Sequence, residues 1–185
     1  MSDEKQPIKA IVTPSRLEYD FTPGIATTRF LRNIAEGRIV GQRCPECTKV
    51  YIPARGSCPR CGVATEEEVE VGPNGTVTTF CVVRVPSENI DLTLPYTAAH
   101  ILLDGADIPF FALIQECDAA DVRMGMRVEA VWAPEAEWGP TFENIRYFRP
   151  IDKHLCPSKK REQRQTPLSS RLSSLCEKIV TTLPH

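Results

Sequence analysis

Arg43-Cys44-Pro45-Glu46-Cys47 and Cys58-Pro59-Arg60-Cys61-Gly62, with ten residues between Cys47 and Cys58, decide the reading of this chain. A Cys-x-x-Cys turn curls the backbone so that both sulfurs point to one place and free N–H groups face them. Two such turns joined by a short hairpin bring four thiolates to the corners of a tetrahedron, which is a closed structural zinc site. Zinc imposes no d-electron geometry and needs no redox chemistry, so sulfurs from two turns suit it. Four sulfurs leave no open position for water, so a catalytic zinc is not expected. Iron accepts the same ligand set. A thioredoxin-type redox pair would need one exposed Cys-x-x-Cys at a helix start, not two pairs in hairpin spacing. The ligands assigned are therefore Cys44, Cys47, Cys58 and Cys61, with zinc as a structural cofactor.

These four are half of eight cysteines in a chain of 185 residues. Met1 to Lys9 is polar and carries Asp3 and Glu4, which is not the pattern of a signal peptide. A reducing, cytoplasmic setting follows as the expectation, and there clustered cysteines read as metal ligands rather than as disulfides. Cys81, Cys117, Cys156 and Cys176 show no such spacing; Cys81 and Cys117, in or beside strand patterns, are expected to be buried or idle. Hydrophobic residues are 42% and charged residues 25%, a soluble globular balance. No apolar run approaches the roughly 18 residues of a transmembrane helix, so no membrane partner is expected.

Working outward, residues 1–25 are punctuated by Pro7, Pro14 and Pro23 and read as an extended arm. Thr27 to Gly37 has Phe30, Leu31, Ile34 and Ala35 at helical spacing, with Thr27 or Thr28 able to cap it and Gly37 able to stop it. Helix plus zinc ribbon is assigned to residues 26–65. From about residue 66 the period becomes two. Thr76 to Val85 places 77, 81, 83 and 85 on one apolar face, and Tyr96–Leu103, Ile108–Gln115, Val128–Ala133 and Thr141–Phe148 repeat the signal. Turn residues such as Gly72-Pro73-Asn74-Gly75, Asp104-Gly105 and Met124-Gly125 separate them. Five short strands over residues 66–150 fit a small barrel of the OB type. The fold class is therefore mainly β: a short N-terminal helix, a zinc ribbon, then a five-stranded OB-like barrel.

Residues 151–185 carry seven basic side chains against Asp152, Glu162 and Glu177, so this tail is at +4 while the rest of a chain of net charge −2 is at −6. Leu168, Leu172, Leu175 and Ile179 fall on one helical face. The tail reads either as a solvated segment with a frayed helix or as a docking helix for a partner. Zinc ribbons and OB barrels also serve single-stranded nucleic-acid binding, which is the rival function. The −6 on the ribbon and barrel opposes it, because phosphate contacts need clustered Lys and Arg.

No constellation for catalysis is evident: no Gly-x-Ser-x-Gly, phosphate loop or dinucleotide fingerprint occurs. Of the three histidines, His100 lies mid-strand and is expected to be packed or barrel-facing, while His154 and His185 are in the tail. Glu66-Glu67-Glu68 reads as a solvated lead-in to a strand, and Glu116, Asp118 and Asp121 as a polar loop. No catalytic residue is assigned.

The two cysteine turns, with Tyr51-Ile52-Pro53-Ala54-Arg55 between them, resemble the rubredoxin-like zinc ribbon that precedes an acyl-CoA-associated OB-fold, a family long catalogued as a domain of unknown function. The run from Glu36-Gly37 through Ile39-Val40-Gly41-Gln42-Arg43 is similar too. So are Gly72 to Val77, Pro95-Tyr96 and Gly125-Met126-Arg127-Val128, so that the resemblance spans about residues 26–150. Ala54 departs from the second proline expected there. The resemblance implies a non-catalytic accessory subunit that binds acyl-CoA, docks on a thiolase-like thiolase or aldolase, or both, in lipid or steroid side-chain catabolism. An acyl-CoA site needs an apolar channel, cations for phosphates and a flat surface for adenine. Phe80, Phe110, Phe111, Trp132 and Phe142, with Arg84, Arg123, Arg127 and Arg146, are the available material, and the pattern does not choose among them.

Overall fold

A computed structural model describes residues 19–86, 90 and 92–152. Most of the N-terminal arm and the tail readings, including Leu168 to Ile179, Cys156, Cys176, His154 and His185, lie outside the described residues.

Helix α1 runs Ile25–Ala35 and buries Phe30, Asn33 and Ile34, the stripe its periodicity requires. Neither Thr27 nor Thr28 caps it. The helix starts earlier, after an extended Gly24 with no side-chain cap. The first helical bond is Thr28 N to the Gly24 carbonyl (2.9 Å), and the Thr28 hydroxyl reaches back to the Pro23 carbonyl. The stop is as the sequence implies. Gly37 is left-handed (φ 74°), with Arg38 N bonded to the Asn33 carbonyl and Gly37 N to that of Ile34, a Schellman closure. The Arg38 guanidinium also donates to Asn33 Oδ1 (2.7 Å).

Strands β1 (Val40–Arg43), β2 (Val50–Tyr51) and β3 (Glu67–Glu70) form an antiparallel sheet in the order β2-β1-β3. β3, the first period-two segment, therefore pairs with the ribbon: Val69 packs on the core while Glu67 and Glu68 are solvated. Five further strands, β4 (Asn74–Val83), β5 (Tyr96–Leu103), β6 (Phe110–Ile114), β7 (Arg127–Trp132) and β8 (Ile145–Pro150), close a barrel in the order β4-β5-β6-β8-β7. All pairings are antiparallel except β6 with β8, at Ile114 and Phe148. This is the connectivity of an OB barrel, and full closure leaves the sheet no free edge.

Further local expectations are corrected. Cys117, expected to be buried or idle, is disulfide-bonded and packs, partly buried, against the core. The β4–β5 ladder slips between Val77 and Thr79, a bulge that reverses which face each later residue of β4 presents. Val77 is buried, but beyond the bulge Phe80 packs on the core, Cys81 is exposed, and Val85 is 74% exposed. The residues 81, 83 and 85 thus do not continue the inner face of Val77. His100 is not packed inside; it is exposed on the outer face, edge-on to Phe111 at 5.4 Å. Finally, the first part of Thr141–Phe148 is not strand. Phe142–Asn144 form a 3-10 turn begun by the Thr141 hydroxyl, which accepts from Glu143 N. The Asn144 carbonyl still accepts from Ala133 N (2.8 Å), and its side chain bonds to Gly139 N (3.1 Å), the Gly139 carbonyl (2.8 Å) and the Ile34 carbonyl (3.0 Å).

That last bond fastens helix to barrel across a buried amide. A second fastening joins ribbon to barrel: Asp107 Oδ2 accepts from Val50 N (2.9 Å), and Asp107 N donates to the Val50 carbonyl (3.0 Å). One apolar core runs from Phe30, Ile34, Val50 and Ile52 into Val77, Ile101, Val128 and Phe148. Among the described residues no helix is long and apolar enough to cross a membrane.

Candidate metal centre

The two cysteine turns have the same backbone. Cys44 N donates to the Lys49 carbonyl and Thr48 N to that of Cys44; Cys58 N donates to the Val63 carbonyl and Gly62 N to that of Cys58. In each turn an amide faces the first sulfur, Cys47 N to Cys44 Sγ at 3.5 Å and Cys61 N to Cys58 Sγ at 3.4 Å. The fourth residue beyond each leading cysteine is left-handed: Gly62 (φ 72°) in one turn and Thr48 (φ 61°) in the other. A left-handed β-branched residue is strained by about 1–2 kcal/mol. Thr48→Gly is therefore expected to raise the melting temperature by a stabilisation of about 1 kcal/mol, measurable by thermal denaturation of the metal-loaded protein. A lower melting temperature would show that the Thr48 hydroxyl bond to the Cys47 carbonyl (2.7 Å) outweighs that strain.

The sulfurs of Cys44, Cys47, Cys58 and Cys61 all lie within 4.8 Å of one another. Zn–S bonds of about 2.3 Å in a tetrahedron need sulfurs about 3.8 Å apart, and Cys47 Sγ to Cys58 Sγ is 3.7 Å. Cys44 and Cys58 are buried while Cys47 and Cys61 are half-exposed. Tyr51, also buried, brings its hydroxyl to 3.2 Å from Cys58 Sγ. That bond draws the Cys58 thiol down to about 6 and pushes the Tyr51 phenol above its usual range. Desolvation beside its neighbours pushes the half-buried Cys61 thiol up to about 12. Four thiols this close resist losing all their protons, and a bound dication removes the resistance by stabilising every thiolate. The donor set, spacing and burial fit a structural zinc.

Two features hold the hairpin that carries the second turn. β1 and β2 approach so closely that a Cβ at Gly41 would lie 2.9 Å from the Tyr51 carbonyl oxygen. Gln42, buried beside it, accepts through Oε1 from Gly56 N (2.9 Å) and the Thr65 hydroxyl (3.2 Å). Sequence reasoning missed Gln42 and Asp107, since their partners are 14 and 57 residues away. Tyr51 was visible in the motif, but nothing local reveals where its hydroxyl points.

The structure does not gather the aromatic and arginine candidates into one site. Phe110 is buried in the core, Phe80 and Trp132 pack against it, and Trp132 meets Trp138 at a tilt, centroids 5.5 Å apart. Phe142 covers Phe30 at 5.3 Å, and Phe111 is exposed on the outer wall. Arg127 is fixed by Asp104 and Thr76, Arg146 by Glu137, and Arg123 by the Asp121 carbonyl; Arg84 is exposed. A cleft lined by Val85, Pro86, Ile90, Leu92, Leu94 and Tyr96 encloses about 50 Å³, against roughly 300–1,000 Å³ for sites that enclose a small ligand.

Comparison with known proteins places this arrangement. Residues 34–67 match the model described as the rubredoxin-like zinc ribbon domain of ChsH2, and residues 68–133 match its C-terminal OB-fold domain. A DUF35 domain-containing scaffold protein of Methanocaldococcus jannaschii is 41% identical over 96 residues, which is 51% of this chain and 67% of that protein. The chain belongs to the DUF35 family. A second DUF35 domain-containing scaffold protein, from Methanothermobacter thermautotrophicus, is 28% identical over 116 residues, 61% of this chain and 86% of that one. Among solved structures, the DUF35 fold recurs in a chain of an "Ltp2-ChsH2(DUF35) aldolase". It superposes with a TM-score of 0.56 at 22% identity, covering 72% of this chain and 100% of that one. A DUF35 protein of unknown function from Sulfolobus solfataricus gives 0.52 at 20% identity, covering 69% and 84%.

Proposed function

We propose that this protein is a non-catalytic accessory subunit that docks on a thiolase-like thiolase or aldolase and takes part in handling its acyl-CoA, in lipid or steroid side-chain catabolism within the cytoplasm. The observation that carries the reading is the 41% identity to a protein named as a scaffold, over a stretch matching more than half of this chain. The aldolase named for the related solved structure supports the class of partner. Zinc held by Cys44, Cys47, Cys58 and Cys61 would fix the two turns in one pose; it supplies rigidity and no open coordination position.

The aromatic and arginine candidates favour a shared acyl-CoA site over a private one. Most of the aromatics serve the core, and the cleft beside Tyr96 is too small for a pantetheine chain. A coenzyme bound at the junction with a partner would need only exposed groups such as Arg84 and Phe111 from this chain.

The test is co-purification with a thiolase-like enzyme from the same organism, followed by assay of each component. A stable complex that turns over acyl-CoA, from a subunit inert on its own, is the expected result. Turnover by this protein alone would overturn the accessory role. Salt-sensitive retention of single-stranded DNA or RNA, with no thiolase-like partner, would favour the nucleic-acid reading instead.

A further inference from the structure

We propose that Tyr51 is a positioning residue of the metal centre, donating its hydroxyl to the Cys58 sulfur and so strengthening the retention of zinc. The inference rests on the reading of the four cysteines as zinc ligands and adds a fifth residue to the site.

Tyr51 ends β2 opposite Gln42 of β1, and its ring packs with Cys44 and Cys58 in the small cluster beneath the turns. It is only 3% exposed. A buried hydroxyl without a partner is costly, and Phe would fill the same space without that cost. The hydroxyl lies 3.2 Å from Cys58 Sγ. A metal-bound thiolate has no proton, so the hydroxyl must be the donor.

The geometry also makes the four sulfurs unequal. Cys58 faces the Cys61 amide and the Tyr51 hydroxyl, whereas Cys44 faces the Cys47 amide. Hydrogen bonds to a ligating sulfur spread its negative charge and fix its lone pairs, and partners of this kind typically govern about 10–100-fold in metal affinity. Tyr51 thereby binds the second turn to the sheet through a group that responds to the charge on the sulfur.

Tyr51→Phe in the whole chain tests this. Zinc affinity is measured by competition with a chromophoric chelator, and the sulfur-to-metal charge-transfer band is read after cobalt substitution. About 10–100-fold weaker zinc binding is expected, with the band moved to lower energy because the sulfur has lost a donor. Tyr147→Phe, which removes a hydroxyl bonded to Glu116 outside the ribbon, should change neither readout. Affinity within twofold of wild type would overturn the proposal, and so would weaker binding with an unmoved band, which would mean packing alone. If Tyr51→Phe does not fold, wild-type protein carrying 3-fluorotyrosine gives the converse test. Its more acidic phenol should tighten zinc and raise the band energy; no change would overturn the proposal. Failure of the wild-type protein to bind zinc at all would instead remove the metal-centre reading itself.

Discussion

Removing the metal is expected to melt residues 43–65 while the barrel amides stay protected. The cluster beneath the two turns has little apolar substance: Cys44, Tyr51 and Cys58, with Cys47, Cys61, Val63 and Ile108 around them. Zinc binding to small cysteine domains carries an apparent free energy of about 10–16 kcal/mol, comparable to the roughly 5–15 kcal/mol of a whole domain. The barrel has a closed hydrogen-bonded ladder of its own and does not depend on the thiolates. Hydrogen exchange before and after chelation is the measurement. Amides such as Cys44 N and Cys58 N should lose protection, and those of β5 and β7 should keep it. Cys44→Ser and Cys58→Ser should each abolish stoichiometric zinc, because a neutral serine hydroxyl is a poor replacement for a buried thiolate. A metal-free chain with native protection throughout the ribbon would contradict the account. The overall melting point should also fall, because Val50 and Ile52 of the ribbon belong to the continuous core.

Phe148→Ala is expected to cost about 3–5 kcal/mol, the range for emptying a buried aromatic site, and about 6–20 °C in melting temperature for a chain of this size. Phe148 has no exposed surface. It stands where the barrel closes, opposite Ala130 of β7 and beside Ile114 of β6 at the one parallel contact. Its carbonyl accepts from Gln115 N (3.0 Å), and its ring meets Phe110 at 6.4 Å. The neighbours are held by the ladder on both sides, so the cavity cannot collapse cheaply. Phe111→Ala is the control: that side chain is 64% exposed and should change stability little. Equilibrium denaturation of the zinc-loaded protein compares the two. Similar midpoints for both variants would rule out Phe148 as the closing residue.

The cluster of four cysteines was legible because each Cys-x-x-Cys turn is made by local backbone geometry and both lie within 18 residues. The strands were legible because each is a short period-two run bounded by turn residues such as Gly105 or Gly125, both at positive φ. The Gly37 stop was readable for the same reason. The faces of β4 were not. The bulge after Val77 depends on the pairing with β5, about 20 residues on, so Cys81 and Val85 point outward although their spacing matches Val77. The 3-10 turn at Phe142–Asn144 escaped because Asn144 is held by the Ile34 carbonyl, 110 residues earlier.

The amino-acid order alone therefore carries the ribbon, its cysteine cluster, five barrel strands and the family, since each rests on residues close together in the chain. Only the tertiary structure decides how the ribbon is seated on the barrel. Val50 and Asp107, Ile34 and Asn144, and Tyr51 with Cys58 meet through side chains whose direction no local pattern encodes. Burial requires each of those polar groups to find a partner, and the fold alone determines which partner is within reach.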